Sequence, residues 1–187
     1  MGALAPYFFK ENQHLTAIDN TPQNLNFLSP INFKFMLKRA PHVNFFIQKI
    51  NIPGLSLPTI DVSNPLIKVP YAGDHLNYEE LNISFKVDED LQNYMEINTW
   101  LKSIGKRDYQ SYNTISQKTT LSGEALFSDI TVCILNSHRM PNYEVVYREA
   151  LPISLSDIQF DVTSEDVDYV TATASFKYIF YDINKIN

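Results

Sequence analysis

Cysteine is all but absent from this sequence: Cys133 stands alone, so no disulfide can form within the chain. It lies inside Ile130-Thr131-Val132-Cys133-Ile134-Leu135, a context that predicts an inert thiol packed in the core. Glycine is also scarce, five residues in 187, and the glycine-rich loops that cradle phosphates are missing, so nucleotide chemistry is not expected. No apolar run approaches the ~18 residues a membrane-spanning helix needs. The opening Met1-Gly2-Ala3-Leu4-Ala5-Pro6-Tyr7-Phe8-Phe9 has no basic residue and is broken by Pro6, which argues against both a signal peptide and N-myristoylation. The expected setting is a soluble protein made in a reducing cytoplasm, with no stable membrane insertion. Positive charge is in deficit: 15 basic against 21 acidic residues give a net charge of −6, which disfavours a grip on a phosphate backbone unless basic side chains are segregated. The linear sequence shows no such segregation.

What is present is the composition of a folded chain, with 44% hydrophobic and 13% aromatic residues, and a length that suits one compact domain with one core. Residues 1–30, rich in Asn, Gln and Thr with prolines at 6, 22 and 30, read as an N-terminal arm ahead of a β domain over 31–187. Period-two alternation predicts a strand through Ile31, Phe33, Phe35 and Leu37, a second over about 43–52, and a third, the clearest, through Leu81, Ile83, Phe85 and Val87. Between them, 53–76 carries too many prolines for a central strand and reads as an extended, partly apolar hairpin. A helix is predicted over 89–104, packing by Leu91, Tyr94, Met95, Trp100 and Leu101, with Asp88, Glu89 and Asp90 at its positive end. A polar surface loop follows over 105–125. Further strands are expected at about 127–135, 143–149, 157–163 and 169–181, the last two forming a hairpin around an acidic tip at Ser164-Glu165-Asp166.

No catalytic pattern emerges from the residues. His14, His42, His75 and His138 are far apart and none has a second His or Cys at metal-ligand spacing. Ser122-Gly123 lacks the first glycine of a nucleophile elbow. The carboxylate groups Glu79/Glu80, Asp88/Glu89/Asp90 and Glu165/Asp166/Asp168 are explained by a strand entry, a helix N-terminus and a hairpin tip. Neither an enzyme nor a cofactor is expected.

From Ile50 to Ile104 the pattern becomes specific. A proline-broken apolar loop (Ile52-Pro53-Gly54-Leu55) precedes a returning strand (Ile67-Lys68-Val69-Pro70) and the turn Tyr71-Ala72-Gly73-Asp74. Aromatic Tyr78, the alternating strand 81–87, the acids 88–90 and a Trp-bearing helix follow. This order, with Leu155-Ser156-Asp157-Ile158-Gln159-Phe160-Asp161 near the end, resembles the major tail tube protein of contractile-tailed bacteriophages. The resemblance implies a mainly β fold with one packed α-helix (α+β), an antiparallel β-sandwich or partial barrel that completes a large β-barrel on hexamerisation. It implies a structural virion subunit, assembled in the host cytoplasm, that forms stacked hexameric rings around a channel for DNA delivery. The 53–76 hairpin would reach the adjacent ring, with Leu55, Leu57, Ile60, Leu66, Gly73 and Asp74 as inter-ring contacts. Its partners would be sheath, baseplate and tail-terminator proteins, with a tape-measure protein in the lumen and DNA passing without specific binding past a net-negative wall. The long N-terminal arm, the 105–125 loop and His75 after Gly73-Asp74 depart from the pattern. They leave open a tube initiator or tube-completion protein, or the tube of a secretion or contractile-injection machine. From a different class, a monomeric β-barrel binding an apolar ligand also suits the composition.

Overall fold

Among the described residues, alternating apolar and polar side chains build a seven-stranded antiparallel sheet with one long helix against it. The computed structural model describes residues 26–63, 66–105, 110, 112–113, 126–163 and 169–186. Most of the expected N-terminal arm, most of the 105–125 loop and the acidic tip at 164–166 lie outside the described residues.

In chain order the elements are β1 (Phe33–Leu37), α1 (Pro41–Phe46), β2 (Ile47–Ile50), β3 (Leu55–Ser56), β4 (Thr59–Ser63), β5 (Lys68–Ala72), β6 (Asn77–Tyr78), β7 (Leu81–Lys86), α2 (Gln92–Ile104), β8 (Ser128–Leu135), β9 (Pro141–Leu155), β10 (Thr171–Lys177) and β11 (Phe180–Lys185). The sheet runs β1-β8-β9-β10-β7-β2, and β11 joins β9. Strand β9 belongs to both halves. Its first part pairs with β8 and β11, for example Val145 with Val132 and Ile183, and its last part pairs with β10, Leu155 opposite Ala174. The monomer is therefore an open sandwich and not a closed barrel.

Inward-facing Phe35, Leu37, Ile130, Val132, Val145 and Tyr147 from one half meet Leu81, Ile83, Phe85, Ala172, Ala174 and Phe176 from the other in one core cluster. Trp100 and Ile97 of α2 complete it. The interior where an apolar ligand would lie in a monomeric barrel is filled by Trp100, Tyr147, Phe85 and Phe176, all fully buried.

Several expectations need correction. Residues 43–46 are not strand: Pro41 opens α1, and the Asn44 side chain ties it to β1 by accepting from Leu37 N–H (2.8 Å) and donating to Leu37 C=O (3.2 Å). Residues 157–163 form no strand. There the Asp161 carboxylate accepts from Thr163 N–H (2.8 Å) and Thr163 Oγ1 (2.7 Å), an Asx turn that competes with strand pairing. The long final hairpin exists, but β9 is the strand that β10 and β11 follow, continuing through Glu149, a left-handed residue (φ 51°), with a register break at its pairing with β8. Cys133 points to the outer face of β8, half-buried between Lys34 and Glu144 rather than in the core. Its partial burial, and then Glu144, push its pKa up, so the thiol keeps its proton.

Helix α2 starts three residues later than its acids suggest. Asp88 caps it from a distance, accepting from Gln92 N–H and Asn93 N–H at 3.1 Å each. Leu91 is forced into the left-handed region (φ 56°) just before the helix. The buried face is Asn93, Ile97, Trp100 and Ser103, because Asn93 turns inward to donate to the Lys86 carbonyl at 2.8 Å. That hydrogen bond sets the helix phase, leaving Leu91 and Met95 38% and 49% exposed instead of packed. Tyr94 and Leu101 are partly buried against the core, and the Tyr94 hydroxyl donates to the Ser156 carbonyl (3.1 Å). Trp100 is 1% exposed; its Nε1–H donates to the Leu126 carbonyl (3.0 Å), and Arg39 lies over the ring at 4.9 Å.

Candidate assembly interface

The proline-punctuated segment between β2 and β7 leaves the body as a two-part ribbon. Near the body β3 pairs with β6, Leu55 opposite Tyr78; farther out β4 pairs with β5. Gly73 closes the approach: its N–H donates to the Pro58 carbonyl at 2.7 Å, and a Cβ there would lie 2.6 Å from that oxygen. Only glycine fits. Asp74 follows on an exposed bend.

The outer ribbon has two unlike faces. Directly opposed residues share a face, so Ile60 with Tyr71 and Val62 with Val69 form one apolar side, while Thr59, Asp61, Ser63 and Lys68 form the other. Ile60 is 62% exposed, Tyr71 58% and Leu66, near the tip, 90%. Leu55 and Leu57 are about half exposed, and no described residue of the ribbon belongs to the core cluster. An isolated two-stranded ribbon is marginal in water. A contiguous apolar face left open by the subunit marks an interaction surface.

Four tyrosines hold the root of this arm. Tyr78 of β6 meets Tyr178 and Tyr181 edge-on, with ring centroids 5.9 and 5.7 Å apart, and Tyr147 of β9 packs against the same two at 5.0 and 5.5 Å. The Tyr181 hydroxyl donates to the Pro53 carbonyl (3.3 Å) where the arm leaves, and the Tyr178 hydroxyl donates to the Glu79 carbonyl (2.9 Å) where it returns. Burial first, then Tyr181, Tyr78 and Glu79, push the Tyr178 pKa up to about 12. Burial raises Tyr147 further, aided by Tyr178 and Tyr181. The spacing of these tyrosines in the sequence gives no hint of the clasp, since it brings Tyr78, Tyr147 and the Tyr178/Tyr181 pair together across 31 to 103 positions of chain.

A second surface escaped sequence reading. Away from the core, β7, β10 and β2 present Asn82, Ser84, Lys86, Thr171, Thr173, Ser175, Lys177 and Lys49. The side chains interlock: Ser175 Oγ donates to Asn82 Oδ1 (2.6 Å), and the Ser84 and Thr173 hydroxyls are 3.3 Å apart. The half-sheet carrying this face has two strand edges with no strand partner among the described residues, the outer edge of β2 and the edge of residues 151–155 of β9 that faces away from β10.

Among the described residues no cluster of His, Cys, Asp and Glu is suited to a metal, and no helix is long and apolar enough to cross a membrane. His42 and Glu96 form an exposed pair (2.5 Å) linking α1 to α2; the hydrogen bond to Glu96 raises the histidine pKa.

Comparison with known proteins gives three results on this geometry. The family model for phage tail tube protein matches residues 11–184. The tail tube terminator protein of Enterobacteria phage T4 is 26% identical over 184 residues, spanning 93% of this chain and 95% of its own. Among solved structures, the tube-terminating cap of the anti-feeding prophage superposes with a TM-score of 0.59 at 15% identity, covering 91% of this chain and 100% of that one. The six-fold symmetrised baseplate of the same prophage gives 0.55 at 13%, covering 81% and 90%.

Proposed function

Because this chain belongs to the phage tail tube protein family, we propose that it is the subunit that ends the tail tube, a ring-forming terminator seated by its arm on the last ring. The observation that carries this reading is the arm itself, whose apolar face exposes Ile60, Val62 and Tyr71 beside the half-buried Val69. A neighbouring tube ring is the cover that suits it, and Leu55, Leu57 and Leu66 extend the contact. Near end-to-end similarity to a protein named as a terminator favours the end of the tube over its body.

Ring formation follows from the two open edges of the half-sheet β9-β10-β7-β2. Joining one copy's β2 to the next copy's 151–155 edge removes both, and a closed ring of six leaves no edge of this half-sheet exposed. In that ring the hydroxyl- and lysine-bearing face suits a water-filled bore. The opposite half-sheet, whose outer side carries Met36, Cys133 and Val146, suits contact with neighbouring proteins such as the sheath. Each subunit contact is of the obligate kind, on the order of 2,000 Å² or more. As a phage tail component the protein is carried in the virion; its assembly in the host cytoplasm, its contacts with sheath and baseplate, and passage of DNA or a tape-measure protein through the bore belong to this proposal.

The test is a capping assay. Purified protein added to polymerising tube subunits should stop elongation at about one ring per tube, seen by negative-stain microscopy as short tubes of fixed end structure. Unlimited tubes built from this protein alone would make it a tube-body subunit. Failure to form rings or to bind tube ends would overturn both readings.

A further inference from the structure

The ring contact has a direction as well as two edges. Strands β9, β10, β7 and β2 are antiparallel each to the next, so β10 and β2 run one way while β7 and the 151–155 stretch of β9 run the other. When β2 of one copy continues the sheet of the next around a rotation axis, its pairing with the 151–155 edge is antiparallel too. The chain ends that meet are thereby fixed. The start of β2, with α1 just before it, comes beside the end of the neighbour's β9 and the 156–163 segment that follows. Both places carry large apolar side chains that their own subunit leaves open. Phe45, in the last turn of α1, is 84% exposed, its ring set edge-on to Phe46 at 5.0 Å. On the other side Phe160 is 80% exposed and Val162 fully exposed. The 156–163 segment is anchored at its root, where Ser156 N–H donates to the Thr173 carbonyl (2.8 Å) and Thr173 N–H to Ser156 Oγ (3.0 Å). The Asx turn from Asp161 to Thr163 shapes its far end. Charge is complementary as well: residues 43–51 carry Lys49 and no acid, whereas 156–163 carry Asp157 and Asp161 and no base. Asp88 and Glu96 face His42, at the other end of α1.

We propose that Phe45 anchors each subunit to a second copy of this chain, seated against Phe160 and Val162 of that copy's 156–163 segment. The inference rests on the ring reading above and adds to it the side chains that drive closure. Backbone pairing along a free edge is open to any strand, so by itself it does not select a partner. An exposed aromatic that becomes buried on the neighbour supplies both affinity and selection, because a few such residues carry most of the binding energy of an interface. The two surfaces are unlike, so the contact is head-to-tail. Each copy offers Phe45 on one side and receives its neighbour's Phe45 on the other, which closes a ring and not a two-fold pair. Lys49 on the anchoring side and the two aspartates on the receiving side favour this pairing over the contact of like edges.

The experiment uses the full chain and two readouts. In sedimentation velocity over a wide concentration range, Phe45→Ser and, separately, Phe160→Ser should raise the concentration at which rings form by at least about tenfold. The thermal midpoint of the dilute subunit should stay unchanged, because neither ring is buried in its own subunit. Phe27→Ser, which removes an equally exposed ring beside the β8–β9 turn, should assemble like the wild type. The second readout maps the contact with the aromatic kept: Phe45 is replaced by photoreactive p-benzoyl-phenylalanine and assembled rings are irradiated. Mass spectrometry should find the cross-link in residues 156–163 of another copy, and denaturing gels should show a ladder of more than two linked chains. Cross-links confined to other segments or to the same chain, or a ladder that stops at two chains, would overturn the head-to-tail contact. Normal ring formation by Phe45→Ser would overturn the anchor and leave the ring reading standing. A wild-type chain that stays monomeric at every concentration would overturn the ring reading itself, and the anchor with it.

Discussion

Replacing Tyr147 by phenylalanine should stabilise the protein. The side chain is fully buried in the tyrosine clasp, and its hydroxyl has no hydrogen-bond partner among the described residues. Leaving such a group buried and unpaired costs about 1–3 kcal/mol. Phenylalanine keeps the ring contacts with Tyr178 and Tyr181, at 5.0 and 5.5 Å, and discards only the oxygen. The small void left behind offsets part of the gain, so the net effect is a stabilisation of about 1 kcal/mol, or roughly 2–4 °C in Tm for a chain of this size. The effect also has a pH signature. Unfolded, the phenol ionises near pH 10; folded, burial holds its proton to a higher pH. Above pH 10 the folded state thus keeps a proton that the unfolded state has lost, and stability falls by up to about 1.4 kcal/mol per pH unit from this group. Below pH 10 the phenol contributes nothing pH-dependent. Urea unfolding at pH 7 and through pH 9–11.5 should show the variant more stable and its alkaline decline shallower, with Tyr178 supplying what remains. A variant less stable by 1 kcal/mol or more at pH 7 would mean that the hydroxyl is satisfied in the folded protein and would refute the reasoning.

Trp100→Ala should cost roughly 3–5 kcal/mol, since it empties a fully buried site and strands the Leu126 carbonyl; a loss under about 1 kcal/mol by denaturant unfolding would contradict that packing. Gly73→Ala should distort the arm, because its Cβ would meet the Pro58 carbonyl at 2.6 Å, while leaving the core intact; hydrogen exchange is expected to rise at position 73 and along β4 and β5 but not in β7. Replacing Leu55 and Leu57 together by Asp should leave the thermal midpoint of the subunit within a few degrees and abolish binding to tube ends, whereas unfolding would place these leucines in the subunit's own stability. The His42–Glu96 pair raises the histidine pKa, so its contribution is fully present below pH ~6.5 and is lost as pH rises through the folded value. An NMR titration of the His42 ring, shifted to higher pH than in the Glu96→Gln variant, checks it.

Where one physical rule acted alone, the sequence could be read. The strict alternation of Leu81, Ile83 and Phe85 marks β7 because that strand is buried on one side and open on the other. The arm is legible from its prolines and its surplus of apolar residues. Reading fails where a polar side chain overrides periodicity. Asn93 enters the core side of α2 to satisfy the Lys86 carbonyl and rotates the whole face away from Leu91 and Met95, and Asn44 does the same work for α1, whose Val43-Asn44-Phe45 alternation looks like strand. Strand β9 is obscured by Pro152 and by the left-handed Glu149, which divide its fifteen residues into pieces too short to be recognised as one. The lysine face is invisible for a different reason. Positions 49, 86 and 177 belong to three strands, and only antiparallel pairing sets them side by side.

The tyrosine clasp also orders events in time. The arm is synthesised with β4 to β6, but Tyr178 and Tyr181, which hold both ends of its root, lie on the far side of the domain in sequence. About 100 residues separate Tyr78 from Tyr178, roughly 5–20 s of synthesis. The strand that completes the arm's half-sheet, β10, arrives in the same interval. A nascent or truncated chain accordingly has no rigid arm to offer, and the arm's apolar face is set in place only once the whole domain has been made.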